Sequence, residues 1–326
     1  MTLWPVLAGG LVAIALFAGP ARGEIVVFGD SLSDSGNNAI VFGNNRTPVP
    51  PANPADIIPT FPYASGRYTN GPVWVEGLAD RRGESLAPSL DGGTNFAFGG
   101  ARTGSLGPVL SFSVLNQVRS FLALSGDVAP RAATYIVQGG GNDARDIAAG
   151  LVSPALGVPA FAANMTAAVG ELQAAGARNI IVMNVPDVGK TPAALASGPA
   201  AAAQASELAA LMNESLDMAL DGLPGPANVQ VLDVFALMNE VFADPAAFGF
   251  ADTTSMCVLT PACLADPSKF FFWDGIHPTT AAHSLLAEQA MVLAVPEPGI
   301  YAMLIAGLAL LGLIRRKWRL GQPVAD

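Results

Sequence analysis

Five short, mostly apolar segments alternate with helical patterns through the middle of the chain, and this alternation constrains the fold more than any other feature. The strand-like segments lie at 24–28, 94–98, 134–137, 179–184 and 229–232. The helical patterns lie at 73–80, 113–124, 160–175, 200–220 and 280–293. Apolar strands separated by helices indicate βαβ units around a parallel sheet that is buried on both faces. The sequence therefore predicts an α/β fold, a three-layer α/β/α sandwich with a central five-stranded parallel sheet.

The composition is that of a folded domain without a nucleic-acid-binding surface. Hydrophobic residues make up 51% of the 326 residues and charged residues 13%, which excludes a disordered chain. The formal net charge is −10, and Lys and Arg cluster only at 315–319. Because the body has no basic patch, we expect no nucleic-acid partner. Residues 24–294 contain no linker and are predicted to form one domain.

The N-terminal segment, residues 1–23, is typical of a signal peptide. Its apolar run, about 6–18, has signal-peptide length and is short for a membrane span. Residues 21–23 offer a small-x-small cleavage site. No Lys or Arg precedes the apolar run, so an uncleaved anchor is the alternative.

The C-terminal segment combines a short Pro-Glu-Pro motif, an apolar helix at 299–314 and a basic tail. This order, over residues 295–319, resembles the PEP-CTERM sorting signal of Gram-negative bacteria. The resemblance implies export across the inner membrane, transient anchoring by the C-terminal transmembrane helix, processing by an exosortase and a cell-surface or extracellular location. A plain C-terminal anchor would have the same orientation without processing.

A polar turn directly follows the first strand. The stretch "VVFGDSLSDSGNN" (26–38) changes from apolar residues to Gly, Asp, Ser and Asn. Ser31 lies just past the strand, where we expect a helix to begin and where its backbone N–H can face an oxyanion. A serine hydroxyl is a good nucleophile only when a base removes its proton. The alternative is that Asp30, Ser31 and Ser33 merely cap the helix.

The base must be one of two histidines, His277 and His283, because the chain has no others. Asp274 and His277 form a D-x-x-H pair just before a helical pattern. A carboxylate beside one imidazole nitrogen fixes the tautomer and stabilises the cation that forms when the other nitrogen takes a proton. His283 lies inside the helical pattern and is predicted to be a surface or packing residue. The alternative for Asp274 is an ordinary turn residue.

Candidate oxyanion donors follow two other strands. "NFAFGGARTG" offers the adjacent Gly99 and Gly100, and "IVQGGGNDARD" offers the side-chain amide of Asn142. Ligands of parallel sheets gather beyond the carboxyl ends of the strands. These donors and Ser31 are therefore expected to meet in one crevice.

The two cysteines, Cys257 and Cys263, are too few for a four-ligand zinc site. In an exported protein a close pair favours a small disulfide-closed loop, and two free thiols are the alternative. We expect no metal in the site.

Together these motifs resemble those of the GDSL-type, or SGNH, serine esterase and lipase family. The resemblance covers roughly 24–294, with the blocks "FGDSLSDSGN", "FAFGGA", "GGND" and "DGIHPT" in order. It implies a flavodoxin-like α/β/α fold and ester hydrolysis without a metal or cofactor. The nucleophile elbow G-x-S-x-G of ordinary α/β-hydrolases is absent from the sequence. The residues that match the family blocks are Ser31, Gly100, Asn142, Asp274 and His277.

The sequence thus predicts an exported serine esterase that hydrolyses carboxylic esters through an acyl-enzyme on Ser31. Asp274 and His277 would complete the triad, and Ser31, Gly100 and Asn142 would form the oxyanion hole. The substrate would be a lipid ester or an acylated carbohydrate. One alternative is a phospholipase or lipase with haemolysin-like activity. The alternative from another class is a non-catalytic surface or exopolysaccharide-associated structural protein.

Overall fold

The computed structural model describes residues 23–42, 63–64, 66–105 and 112–294, together with Leu308 and Leu311. The predicted signal peptide, apart from its last residue, and the sorting segment 295–319, apart from those two leucines, lie outside the described residues. Within the described residues, no helix combines the length and the hydropathy that a membrane crossing requires.

Strands and helices alternate along the described chain. The strands are β1 Ile25–Phe28, β2 Thr134–Gln138, β3 Asn179–Met183, β4 Asn228–Leu232, β5 Asp252–Met256 and β6 Phe270–Phe272. The helices are α1 Asn37–Val41, α2 Trp74–Arg82, α3 Val114–Ser125, α4 Gly141–Ala148, α5 Pro154–Ala175, α6 Pro192–Ala196, α7 Pro199–Asp221, α8 Val234–Ala243, α9 Pro261–Ala265 and α10 Thr280–Ala294.

The main sheet is parallel in the order β1-β2-β3-β4, and its residues alternate between two buried cores. One core joins one face of the sheet to α3, α5 and α7; its strand residues are Val26, Phe28, Tyr135, Val137, Ile180 and Val182. The other joins the opposite face to α2 and α10; its strand residues are Ile25, Val27, Ile136, Ile181 and Met183. The predicted three-layer α/β/α sandwich is confirmed.

The fifth predicted strand, 94–98, runs beside β1 but is not a regular strand. Val27 N donates to Thr94 O at 3.0 Å, and Phe96 N donates to Val27 O at 2.7 Å. On the outer edge, the Asn37 side-chain amide donates to the carbonyls of Asn95 and Ala97 at 2.7 and 2.9 Å. The Asn95 side chain also accepts from Ala97 N at 3.0 Å, a local side-chain-to-backbone bond within the segment. Four regular strands therefore form the described sheet, and 94–98 covers the edge of β1.

Helix α4 was missed by the sequence analysis, because three consecutive glycines indicate a turn. Gly140 does turn the chain, at a φ of 104° that suits glycine, and α4 begins at the next residue. The small parallel sheet of β5 and β6 was also not predicted. Helix α4 matters for the site because it carries Asn142 in its first turn.

Candidate active site

Ser31 lies in a hydrogen-bonded turn at the carboxyl end of β1. Asp30 O accepts from Ser33 N and Asp34 N, both at 3.0 Å, and Asp30 Oδ1 accepts from Leu32 N at 3.0 Å. The helix expected directly after Ser31 is therefore replaced by this turn, and α1 begins only at Asn37. Ser31 is 8% exposed, so the turn holds its hydroxyl in a largely enclosed position.

The imidazole of His277 contacts both Ser31 and Asp274. Its Nε2 lies 2.8 Å from Ser31 Oγ, and its Nδ1 lies 2.7 Å from Asp274 Oδ2. The ring packs against Tyr68, with the ring centroids 5.2 Å apart. The structure thus brings Ser31 next to the Asp274–His277 pair, almost 250 residues further along the chain, in an order that allows proton transfer from Ser31 Oγ to Nε2.

The Asp274 carboxylate is bound through both of its oxygens. Oδ1 accepts from Ile276 N at 2.8 Å and from His277 N at 2.7 Å. Oδ2 accepts from the Tyr63 hydroxyl at 2.8 Å, in addition to its contact with His277. Burial would raise the pKa of this carboxyl, but the charge and hydrogen bonds of His277 and the backbone bonds outweigh it and lower the pKa to about 2. Asp274 is therefore ionised at neutral pH.

The predicted oxyanion donors differ in their hydrogen-bond partners. Gly99 N donates to Asp34 Oδ2 at 2.9 Å, whereas within the described residues Gly100 N has no acceptor. Of the two adjacent glycines, Gly100 therefore has the available amide. The Asn142 amide donates one hydrogen to Ala101 O at 2.9 Å, which orients it and leaves its second hydrogen available.

A cavity of about 770 Å³ opens beside Ser31. Ser31, Asn142 and His277 line it. Gly100 is not among its lining residues, but Arg102 lines the cavity and donates to Gly100 O at 2.9 Å. Most of the cavity wall is apolar and comes from β3 and from helices α4, α7, α8 and α10. Apolar lining residues include Ile147, Met183, Leu208, Leu237, Met238 and Leu286.

His283 also lines this cavity, but it has a different partner. Its Nδ1 accepts from the backbone N of Trp74, at the start of α2, at 3.2 Å. Burial first, and the nearby His277 second, lower the pKa of His283 to about 3. His283 is therefore a neutral, buried packing residue that satisfies a helix N-terminal amide.

Several residues that support the site were not found from the sequence. Gln138 Oε1 accepts from Asp30 N and from Ser33 Oγ, both at 3.0 Å, and Gln117 exchanges two hydrogen bonds with the Gly29 backbone. Tyr63 was missed as well. The one available signal was a polar residue, Gln138, at the end of the otherwise apolar strand "TYIVQ".

Cys257 and Cys263 form a disulfide next to the loop that carries Asp274 and His277. Both are fully buried in a cluster with Trp273, the residue before Asp274. Among the residues that the structure describes, His, Cys, Asp and Glu do not form a group that could hold a metal ion.

The profile of the GDSL-like Lipase/Acylhydrolase family matches residues 25–290, which is most of the chain. The chain belongs to this family. The profile of the PEP-CTERM protein-sorting motif matches residues 294–319, which indicates export and C-terminal sorting in a Gram-negative bacterium. The resemblances to the GDSL family and to the sorting signal are thereby confirmed.

Curated relatives of this GDSL-family chain differ in length. It is 32% identical to an uncharacterized protein in the trpE-trpG intergenic region of Pseudomonas putida, covering 88% of this chain and 52% of the relative. It is 28% identical to the thermolabile hemolysin of Vibrio parahaemolyticus, over 82% of this chain and 63% of that protein. It is 27% identical to the phosphatidylcholine-sterol acyltransferase of Aeromonas hydrophila, over 89% of this chain and 96% of that protein. The chain thus spans about half of the first relative and under two thirds of the second.

Proposed function

We propose that this GDSL-family protein is an exported serine esterase that hydrolyses carboxylic esters through an acyl-enzyme on Ser31. The observation that carries the proposal is the unbroken contact from Ser31 Oγ through His277 to Asp274, at 2.8 and 2.7 Å, beside a cavity large enough for a substrate. This is the arrangement that activates a hydroxyl nucleophile.

In the first half-reaction, His277 Nε2 accepts the Ser31 proton while Oγ attacks the ester carbonyl carbon. Asp274 stabilises the resulting imidazolium through Nδ1–H. When the tetrahedral intermediate collapses, the C–O bond to the alcohol breaks and His277 returns the proton to that alcohol. Water, with His277 again as base, then hydrolyses the acyl-enzyme and restores Ser31.

The negative charge on the tetrahedral oxygen requires hydrogen-bond donors. We assign the Ser31 N–H, the Gly100 N–H and the Asn142 side-chain amide to this role. The assignment is supported by the available amide of Gly100 and the preset orientation of Asn142. Loss of one such donor typically lowers the rate by ~10²–10³. We therefore expect Asn142→Ala to lower the rate of ester hydrolysis by a factor in this range.

The cavity favours an acyl group longer than acetyl. Its apolar wall would remove a hydrocarbon chain from water, which contributes about 0.8 kcal/mol for each buried methylene group. An acetyl group would leave most of this surface unused. Lipid esters are therefore the favoured substrates, and phospholipase-type or haemolysin-like activity is one form of this chemistry. A short acyl group on a carbohydrate is the second candidate.

The test of the chemistry is Ser31→Ala together with labelling by a fluorophosphonate. We expect the variant to fold, to lose hydrolysis of p-nitrophenyl butyrate and to lose the label. Ser35→Ala, four residues along the same loop, should keep both. Activity or labelling that survives in Ser31→Ala contradicts the mechanism, and an unlabelled wild-type protein would favour the non-catalytic surface protein.

The test of the acyl group is a series of p-nitrophenyl esters of increasing chain length, with acetylated xylan as the carbohydrate probe. We expect kcat/KM to rise from acetate to octanoate. Ala201 on α7 lines the cavity and Ala203 does not, so Ala201→Phe should reduce the preference for long chains and Ala203→Phe should not. A wild-type preference for acetyl esters, unaffected by Ala201→Phe, contradicts the lipid substrate.

We also propose that the signal peptide 1–23 is removed and that the segment 295–319 anchors the protein transiently until an exosortase processes it. The sorting motif and the Cys257–Cys263 disulfide, which suits an oxidising compartment, support this route. Mass spectrometry of the protein from Gram-negative cells should find neither terminal segment in the mature chain. An intact C-terminus in the mature protein would indicate a plain anchor.

A further inference from the structure

Tyr63 makes a contact with the proposed triad that the mechanism above does not use. Its hydroxyl donates to Asp274 Oδ2 at 2.8 Å, the same oxygen that contacts His277 Nδ1 at 2.7 Å. Since Oδ1 accepts two backbone N–H groups, the carboxylate has four donors among the residues that the structure describes. Tyr63 lies 211 residues before Asp274, so only the tertiary fold brings it there.

The Tyr63 ring is held by the cluster around the disulfide. It packs edge-on against Trp273, with the ring centroids 6.2 Å apart and the planes at 77°. Trp273 and the Cys257–Cys263 disulfide form the buried centre of this cluster. Burial, and then the neighbouring Asp274 charge, raise the pKa of the Tyr63 phenol, so it remains protonated and continues to donate.

We propose that Tyr63 is a positioning residue, whose hydroxyl fixes the Asp274 carboxylate in the orientation that holds His277 Nδ1. The inference rests on the proposed esterase function, because it acts on the same triad. The χ2 angle of an aspartate side chain has a broad distribution, so hydrogen bonds to both Oδ1 and Oδ2 restrict the orientations that the carboxylate can adopt. Tyr63 is not among the residues that line the cavity, so it should affect turnover rather than substrate binding.

The experiment is Tyr63→Phe, which removes the hydroxyl and keeps the ring contacts. With p-nitrophenyl butyrate we expect kcat to fall about tenfold, the scale of a hydrogen bond to a charged group, with KM unchanged. Tyr135→Phe is the matched control, since its hydroxyl donates to Pro130 O at 3.1 Å, away from the triad. That variant should keep the wild-type kcat.

A double-mutant cycle with Asp274→Asn separates positioning from a general structural role. If Tyr63 acts through the carboxylate, Tyr63→Phe should have almost no further effect on the residual kcat of Asp274→Asn. An equal loss in both backgrounds, or a wild-type kcat in Tyr63→Phe, overturns the proposal.

The two proposals fail in different ways. If Ser31→Ala and Asp274→Asn are inactive while Tyr63→Phe behaves as wild type, the esterase stands and the role of Tyr63 is wrong. If Ser31→Ala remains active, the esterase mechanism itself fails, and the role of Tyr63 fails with it.

Discussion

The loop that carries Ser31 (29–38) and the loop that carries Asp274 and His277 (273–279) differ in how strongly they depend on buried polar side chains from distant elements. The first, which we call the nucleophile loop, is held by side chains far away in sequence: Gln138 is 108 residues from Asp30, and Gln117 is 88 residues from Gly29. The second, the acid–base loop, combines hydrogen bonds within the loop with bonds from distant residues, among them Tyr63 to Asp274 Oδ2 and Ala193 N to Gly275 O. Asp274 Oδ1 accepts from the two amides that follow it, and Trp273 N donates to His277 O at 2.8 Å.

The difference has an energetic consequence. The nucleophile loop lies on a buried chain of hydrogen bonds, in which Trp74 Nε1 donates to Ser33 Oγ and Ser33 Oγ donates to Gln138 Oε1, both at 3.0 Å. Removing one member leaves other buried polar groups without partners, which is costly. In the acid–base loop a change at Asp274 alters the chemistry more than the fold. Variants in the two loops should therefore separate stability from catalysis.

The largest effect on catalysis is expected from Asp274→Asn. The amide oxygen can still accept from Ile276 N and His277 N, but the amide NH₂ then faces His277 and forces the wrong tautomer. We expect kcat to fall by ~10⁴, while the free energy of unfolding falls by only about 1–2 kcal/mol. Ester kinetics and urea unfolding measure the two quantities. A variant that cannot fold would show that the acid–base loop is as dependent on tertiary contacts as the nucleophile loop.

Gln138→Leu should produce the largest loss of stability. It removes the acceptor of Asp30 N and Ser33 Oγ, two buried groups, and we expect a loss of about 2–5 kcal/mol in the free energy of unfolding. Activity should fall as well, because the turn that carries Ser31 is no longer fixed. Gln230→Leu is a matched control with one side-chain hydrogen bond, to Leu293 O at 3.1 Å, away from the site. Equal losses in the two variants would contradict the special role of the nucleophile-loop network.

The same difference explains how much could be predicted from the sequence. The pair Asp274 and His277 is a local pattern, so its spacing alone indicated a carboxylate beside an imidazole. Ser31 is the candidate nucleophile from the sequence because polar residues interrupt an apolar strand at its end. The sandwich was predictable because apolar strands and helices alternate along the chain.

The remaining features depend on contacts that no local pattern reveals. Gln138 and Tyr63 acquire their roles only when distant elements pack together. The fifth strand was expected from its apolar residues, but Asn37, more than 50 residues earlier, occupies its outer edge. The start of α4 was hidden because glycine favours turns and gives no sign that a helix follows.

The third prediction concerns His283, which links α10 to Trp74 next to the nucleophile loop. Its pKa is about 3 in the fold and near 6.5 when unfolded, so the unfolded chain binds an extra proton between these pH values. Stability from this site is therefore complete above pH 6.5 and is lost as the pH falls towards 3, by at most about 1.4 kcal/mol per pH unit.

His283→Asn tests this directly, because its Oδ1 stands where Nδ1 was and can still accept from Trp74 N, but the amide does not titrate. Urea unfolding between pH 7 and pH 4.5 should show a smaller loss of stability in the variant than in the wild type. His283→Leu, which lacks the acceptor, should be less stable at pH 7 as well. Parallel pH profiles of the wild type and His283→Asn would show that His283 is not the source of the acid sensitivity.

The smallest effect is expected from Ser35→Ala, at the far end of the nucleophile loop. Ser35 Oγ accepts from Asn95 Nδ2 at 2.9 Å, but that amide also donates to Ser33 O at 2.7 Å, so the variant leaves only part of one group without a partner. We expect a loss of about 1 kcal/mol in the free energy of unfolding and an unchanged kcat. A loss as large as that of Gln138→Leu would mean that the network fails as a unit. In that case a change several residues from Ser31 would also lower kcat, and the nucleophile loop would differ from the acid–base loop even more.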